Sequence, residues 1–158
     1  MTPQATLQLL QTQLAKHHLT EKGWTGKLDH AKRRFGLCSP SKKTISISRH
    51  LAALNPHLEV LDTILHEIAH ALAFEQYRTN CGHDPRWQAI AQAIGARPQR
   101  CYNPQTVSQP PGKWQLIHQH TGEVFHTYHR KPNRDLKTTY IKGQKQHTLG
   151  QLVLRRLS

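Results

Sequence analysis

Leu7, Leu10 and Leu14 recur at helical spacing inside a polar, Gln-rich segment, which predicts an amphipathic helix over about 3–18 with its apolar stripe turned to the core. From Trp24 to Ser48 the punctuation changes to Gly23, Gly26, Gly36 and Ser39-Pro40, and Lys43-Thr44-Ile45-Ser46-Ile47-Ser48 alternates with period two, so two or three short strands are expected. Asn55-Pro56 then supplies a cap residue and a proline suited to a first helical turn, and no other Gly or Pro interrupts the run to Tyr77. The longest helix of the chain is predicted there. Asp84-Pro85 repeats the start signal, and Gly95 ends that second helix near Ile94. Pro98, Pro104, Pro110 and Pro111 fix φ and remove backbone donors, so helix cannot cross this stretch. Beyond it, 114–120, 123–129, 138–142 and 151–157 read as short strands separated by Thr121-Gly122, Pro132-Asn133 and Gly143, which predicts a small antiparallel sheet. The expected class is α+β: a mainly helical domain with a short β-sheet over 1–97, a linker over 98–110, and an antiparallel β module over 111–158.

Charge sharpens this division. Lys plus Arg number 22 against 9 Asp plus Glu, a formal charge of +13 that suits a polyanionic partner. Up to residue 95 there are 11 basic and 7 acidic residues, whereas 96–158 carries 11 basic and 2 acidic, so the excess lies downstream. Trp114, Phe125, Tyr128 and Tyr140 are interleaved with those cations, a pattern for neutralising a backbone while stacking on bases. DNA, single-stranded or at a single-strand/double-strand junction, is the expected partner, with Arg130, Lys131, Arg155, Arg156 and Trp114 as candidate contacts. Three widely spaced cysteines form no disulfide framework, which fits a reducing compartment. Cys38 and Cys101 are expected to be buried apolar thiols. No basic start precedes an apolar stretch, and no run approaches the roughly 18 apolar residues of a membrane span. An intracellular protein without a membrane partner is expected, cytoplasmic and nucleoid-associated, or nuclear in a eukaryote, and monomeric.

The chemistry lies in Leu65-His66-Glu67-Ile68-Ala69-His70. Residues four apart share a helix face, so His66 and His70 can both present an imidazole nitrogen to one metal ion about 2.0–2.1 Å away. Glu67 is offset by about 100°, off the metal but within reach of a bound water, as a general base requires. With 13 His and 5 Glu in the chain, the bare motif arises by chance with a probability of roughly 0.03, so its surroundings must decide. A catalytic zinc commonly takes three protein ligands and keeps one position open. Glu75, Cys81 and His83 follow as candidates for the third. Glu75 stands about 140° around the helix from His70 and faces the wrong way, toward the surface or an outer shell, which leaves Cys81 and His83. Tyr77 and Arg78, just past the helix, are candidates for a second oxyanion donor. Trp24, Phe35 and Trp87 are expected to be packing residues.

The combination His66-Glu67-Ile68-Ala69-His70-Ala71-Leu72, Gly82-His83-Asp84-Pro85-Arg86-Trp87 and Ile94-Gly95-Ala96 resembles the SprT-like family of zinc metallopeptidases, which includes the Spartan-type DNA–protein crosslink proteases. Upstream, Arg33-Arg34-Phe35-Gly36-Leu37-Cys38 and Lys43–Ser48 are similar to that family's strand pair before the zinc helix, so the likeness covers about 5–102. The resemblance implies a zincin-like core, one catalytic Zn²⁺ on His66, His70 and His83, Glu67 as the catalytic base, and DNA-bound or DNA-crosslinked proteins as substrates of a DNA-activated endopeptidase. A DNA-binding protein with a structural, inactive zinc and a DNA-independent peptidase are the alternatives. Small members commonly end in a zinc ribbon with two C-x-x-C pairs, yet no cysteine follows Cys101. The ribbon's rhythm places His118, Thr121, Lys142 and Lys145 at the ligand positions, so a degenerate ribbon held by packing is expected. His118, His120 and His147 are the candidates for any substitute site.

Overall fold

The computed structural model describes residues 1–99 and 107–158; Cys101 and Pro104 lie outside the described residues, as does much of the expected linker. The chain divides into two compact units, Met1–Pro110 and Pro111–Ser158. Among the described residues no helix is long and apolar enough to cross a membrane.

The first unit opens with α1 (Pro3–Lys16), capped by the Thr2 hydroxyl on the Ala5 N–H, and it buries Thr6, Leu10 and Leu14. Three strands follow, β1 (Thr25–Asp29), β2 (Gly36–Ser39) and β3 (Thr44–Ser48), in the order β1-β3-β2. β3 runs parallel to β1 and antiparallel to β2. As the central strand β3 is buried on both faces, so the period-two alternation does not expose its serines. The Ser46 hydroxyl donates to Asp29 Oδ2 at 2.9 Å, and that of Ser48 to the Ala31 carbonyl.

Ser48 also accepts the Leu51 N–H at 3.1 Å and so caps a short helix not expected from the sequence, α2 (Arg49–Leu54). Asn55 consequently does not start the next helix. Its amide donates to the Leu51 and Ser108 carbonyls at 2.7 and 2.8 Å and accepts the Ser108 N–H at 2.7 Å. Pro56 is the cap residue of α3 (His57–Tyr77), which ends where Arg78 turns left-handed at φ +56°. One side of α3, with Val60, Ile64, Ile68 and Ala71, packs in the main core beside Leu10, Trp24, Phe35, Ile45 and Ile47. Its other side, with Leu65, Ala69 and Ala73, meets Trp87 and Ala91 of α4 (Pro85–Ile94). A helix clamped on two sides is a rigid mount for chemistry. α4 begins as its signals indicate, with the Asp84 carboxylate accepting the Arg86 and Trp87 N–H groups and left-handed Gly95 closing it.

The second unit is a sheet of β4 (Trp114–His118), β5 (Val124–Tyr128) and β6 (Leu152–Arg156), antiparallel in the order β5-β4-β6. The strand expected over 138–142 does not form. Asp135 gathers the Lys137 N–H on its carboxylate and the Thr139 hydroxyl on its carbonyl, and the Ile141 N–H donates to the buried Thr148 hydroxyl oxygen at 2.9 Å. A local side chain thus takes the Ile141 N–H, a donor that a ladder would need, and a short helix, α5 (Lys145–Thr148), follows before β6.

Candidate metal centre

His66 and His70 project from successive turns of α3, and His83 reaches them from the loop before α4. The His83 Nε2 lies 3.1 Å from the Nε2 of His66 and 3.1 Å from that of His70. Nitrogens about 2.05 Å from a tetrahedral ion sit about 3.3 Å apart, so the three fit one ion with little rearrangement. They are the sole cluster of three or more metal-ligating groups among the described residues. Trp87 supports it: the indole is fully buried, and its ring centroid lies 4.7, 5.1 and 4.6 Å from those of His66, His70 and His83. Trp87 therefore packs as expected, against the imidazoles themselves.

Burial pushes the His66 imidazole down to about 4, with His83 adding to the effect and Asp62 opposing it; burial and then His66 and His83 take His70 to about 3. Both rings are neutral donors at pH 7, the form a metal requires. In the metal-free protein the unfolded chain takes up these two protons below pH 6.5 while the folded chain refuses them, so stability falls as pH drops from 6.5 toward 4. Glu67 acts in the opposite sense between 4.5 and about 7, with one proton against two. Melting of the metal-free protein from pH 7 to 4.5 is expected to show a falling Tm, and in His70→Gln, where one proton stands against one, the fall should be abolished; a parent Tm that rises on acidification contradicts these shifts.

Glu67 is buried at 8% exposure, and burial lifts its carboxyl to about 7 against the lowering effects of the Cys38 N–H and Arg34. Glu67 and the three histidines line one open cavity of about 1030 Å³, together with Gly36–Cys38 of β2 and with Arg34 and Phe35 before it. Cys81 stands apart: the thiol is buried against Trp87 and Ala91, 3.7 Å from the Thr79 carbonyl, and is not in the ligand cluster. Cys38 is half-buried, and burial raises its thiol pKa well above the ordinary range.

Four positions differ from the expectation or carry no signal in the sequence. Glu75 is off the metal but not on the surface; it is buried and takes the Trp24 indole N–H at 2.9 Å, Lys43 at 2.9 Å and Arg78 at 3.2 Å. The bonds from Lys43 and Trp24 hold its carboxyl below the usual range. Tyr77 and Arg78 do not line the cavity: the phenol ring lies under the Arg86 guanidinium at 5.2 Å, and Arg78 is spent on Glu75, so neither is placed to meet an oxyanion there. Arg97, unmarked in the sequence, grips Glu59 and Asp62 of α3 at the cavity edge, with its backbone N–H on Asp62 at 2.9 Å.

In the second unit the register sets Tyr128, Trp114 and Arg156 in one cross-strand row, with Lys131 Nζ 5.3 Å from the Trp114 ring centroid and the Arg134 guanidinium 5.8 Å from that of Tyr128. Arg155 pairs with Gln115 instead and points to the opposite face; Arg130 is exposed. His118 is buried, and its Nδ1 accepts the His120 and Thr121 N–H groups at 3.2 and 3.3 Å. That fixes the proton on Nε2, which donates to the His147 carbonyl at 3.1 Å. Both of its ring nitrogens are committed to the main chain.

Residues 4–108 match the SprT-like family. Over 63 residues the chain is 41% identical to the DNA-dependent metalloprotease dvc-1 of Caenorhabditis elegans, a stretch that is 39% of this chain and 16% of that protein's length.

Proposed function

Because this chain belongs to the SprT-like family, we propose that it is a zinc-dependent endopeptidase that acts inside the cell on proteins bound or crosslinked to DNA, with DNA raising its rate. The observation that carries the reading is the convergence of three imidazole nitrogens beside a buried carboxylate in one open cavity. At about 1030 Å³ the open cavity stands at the upper end of the roughly 300–1,000 Å³ of ligand pockets, and it has room for a short peptide segment.

His66, His70 and His83 would hold the zinc, which when bound acidifies a water and polarises a peptide carbonyl. The chain's own residues do the rest. Trp87 fixes the imidazoles from behind, so that their directions are set before any ion arrives. Glu67 takes the proton of the attacking water and returns it to the departing amine, a shuttle for which a carboxyl poised near neutrality is suited. The dvc-1 relative is described as DNA-dependent, and the row of Tyr128, Trp114 and Arg156 with Lys131 beside it gives this chain a surface for base stacking and phosphate neutralisation. Selectivity then comes from residence on DNA rather than from reading a cleavage sequence.

The test is cleavage of a DNA-bound basic protein by the zinc-loaded chain, with single-stranded, duplex or no DNA, after metal analysis. Cleavage that requires the metal and rises with DNA is expected, and Trp114→Ala should lose most of the stimulation while keeping the DNA-free rate. One zinc per chain with no cleavage under any DNA condition would point instead to a DNA-binding protein with a structural metal. A metal-dependent rate indifferent to DNA would retain the peptidase and remove DNA from its function.

A further inference from the structure

The base carboxylate of Glu67 rests against a residue that has no side chain. A Cβ built on Gly36 would stand 2.6 Å from Glu67 Oε1 and 2.7 Å from its Cγ, closer than such atoms sit, and 3.0 Å from its Cδ. The backbone of Gly36 is ordinary strand, paired with Ile47 of β3 and without positive φ. Nothing about its conformation therefore calls for glycine; the close approach of Glu67 does. Two residues along the same strand edge, the Cys38 N–H donates to the same carboxylate. β2 cannot retreat from that contact, because it is paired with β3 over four residues, and Phe35 immediately before it is buried in the core with its carbonyl on the Ser48 N–H at 2.7 Å. Nor can α3, which is clamped between two cores.

We propose that Gly36 is a positioning residue of the hydrolytic reaction: its bare Cα is the seat that, with the Cys38 N–H, aims the Glu67 carboxylate into the cavity. Any side chain at 36 turns that carboxylate aside while leaving His66, His70 and His83 in place. The proposal rests on Glu67 being the base, yet its packing consequence can be measured without activity.

Gly36→Ala is expected to bind one zinc per chain, to lose at least tenfold in kcat, and to change KM by less than twofold. Its Tm should fall. In a Glu67→Ala background the sign should reverse, since the space is then free and replacing a glycine that has an ordinary strand conformation restricts the unfolded chain: the same substitution leaves Tm unchanged or raises it. A Gly36→Ala protein too unstable to purify, beside a double variant that purifies, is the same result in stronger form. An unchanged kcat in Gly36→Ala, or an equal fall of Tm in both backgrounds, would overturn the proposal. If Glu67→Gln keeps full activity while the Tm reversal holds, the seat is real and it is the role of Glu67 as base that fails.

Discussion

Glu67→Gln, loaded with one zinc per chain, is expected to cleave a DNA-bound protein about 10²–10⁴-fold more slowly than the parent, the range that general acid–base groups contribute. The amide keeps nearly the shape and volume of the carboxylate, so it can still lie against Gly36, and the three imidazoles are not disturbed. What it cannot do is take a proton. Zinc content and Tm should therefore stay close to those of the parent, with any change in Tm a small rise, because burying an amide costs less than burying a carboxylate. The measurement is a single-turnover rate on both proteins with metal analysis of the same samples. A Glu67→Gln protein with full zinc and a rate within a fewfold of the parent would remove the carboxylate from the mechanism.

The second large effect is on the metal itself. His83→Ala leaves two ligands, both on α3, and takes away the one ligand that comes from the loop before α4. Loss of an outer-shell partner already weakens metal sites about 10–100-fold, and loss of a ligand is expected to exceed that, which a competition titration against a zinc chelator would read directly. Ligand binding to the folded state alone stabilises it by about 2.7 kcal/mol at a hundredfold excess over Kd, so the zinc-induced rise in Tm should also shrink or vanish in His83→Ala. Cys81→Ser is the contrast. Its thiol is turned toward the Thr79 carbonyl, away from the imidazoles, so this variant should keep its zinc. Loss of zinc in Cys81→Ser would mean a closed, four-ligand site and would favour the structural-metal reading.

Signals confined to a few neighbouring residues were legible before any coordinates. His66, Glu67 and His70 could be placed on one helix by their spacing alone, and Asp84-Pro85 with Gly95 marked both ends of α4, because caps and turns act within a residue or two of themselves. Longer-range competition was not. Asn55-Pro56 has the form of a helix start, but the Asn55 side chain is claimed by Ser108, 53 residues on, and Ser48 had already begun a helix upstream. Thr138–Lys142 alternates like a strand, yet Asp135 and Thr148 take its hydrogen bonds. The helical angle of Glu75 keeps it out of the histidine cluster; its burial depends on Trp24, 51 residues earlier, which no periodicity can announce. Gly36 stands in the stretch that carries the family likeness, but the need for glycine there exists only once α3 lies across β2.

The turn after β4 is tied by His118 to its own main chain, and no cysteine follows Cys101. A sheet held this way has no thiolate for peroxide to oxidise, and among its described residues no group of three metal-ligating side chains converges. If the chain acts on DNA as proposed, a chelator that strips the first unit's histidine cluster would spare the second unit, so cleavage would be lost while DNA binding is kept. On that reading the stripped chain would compete with intact copies for the same strands.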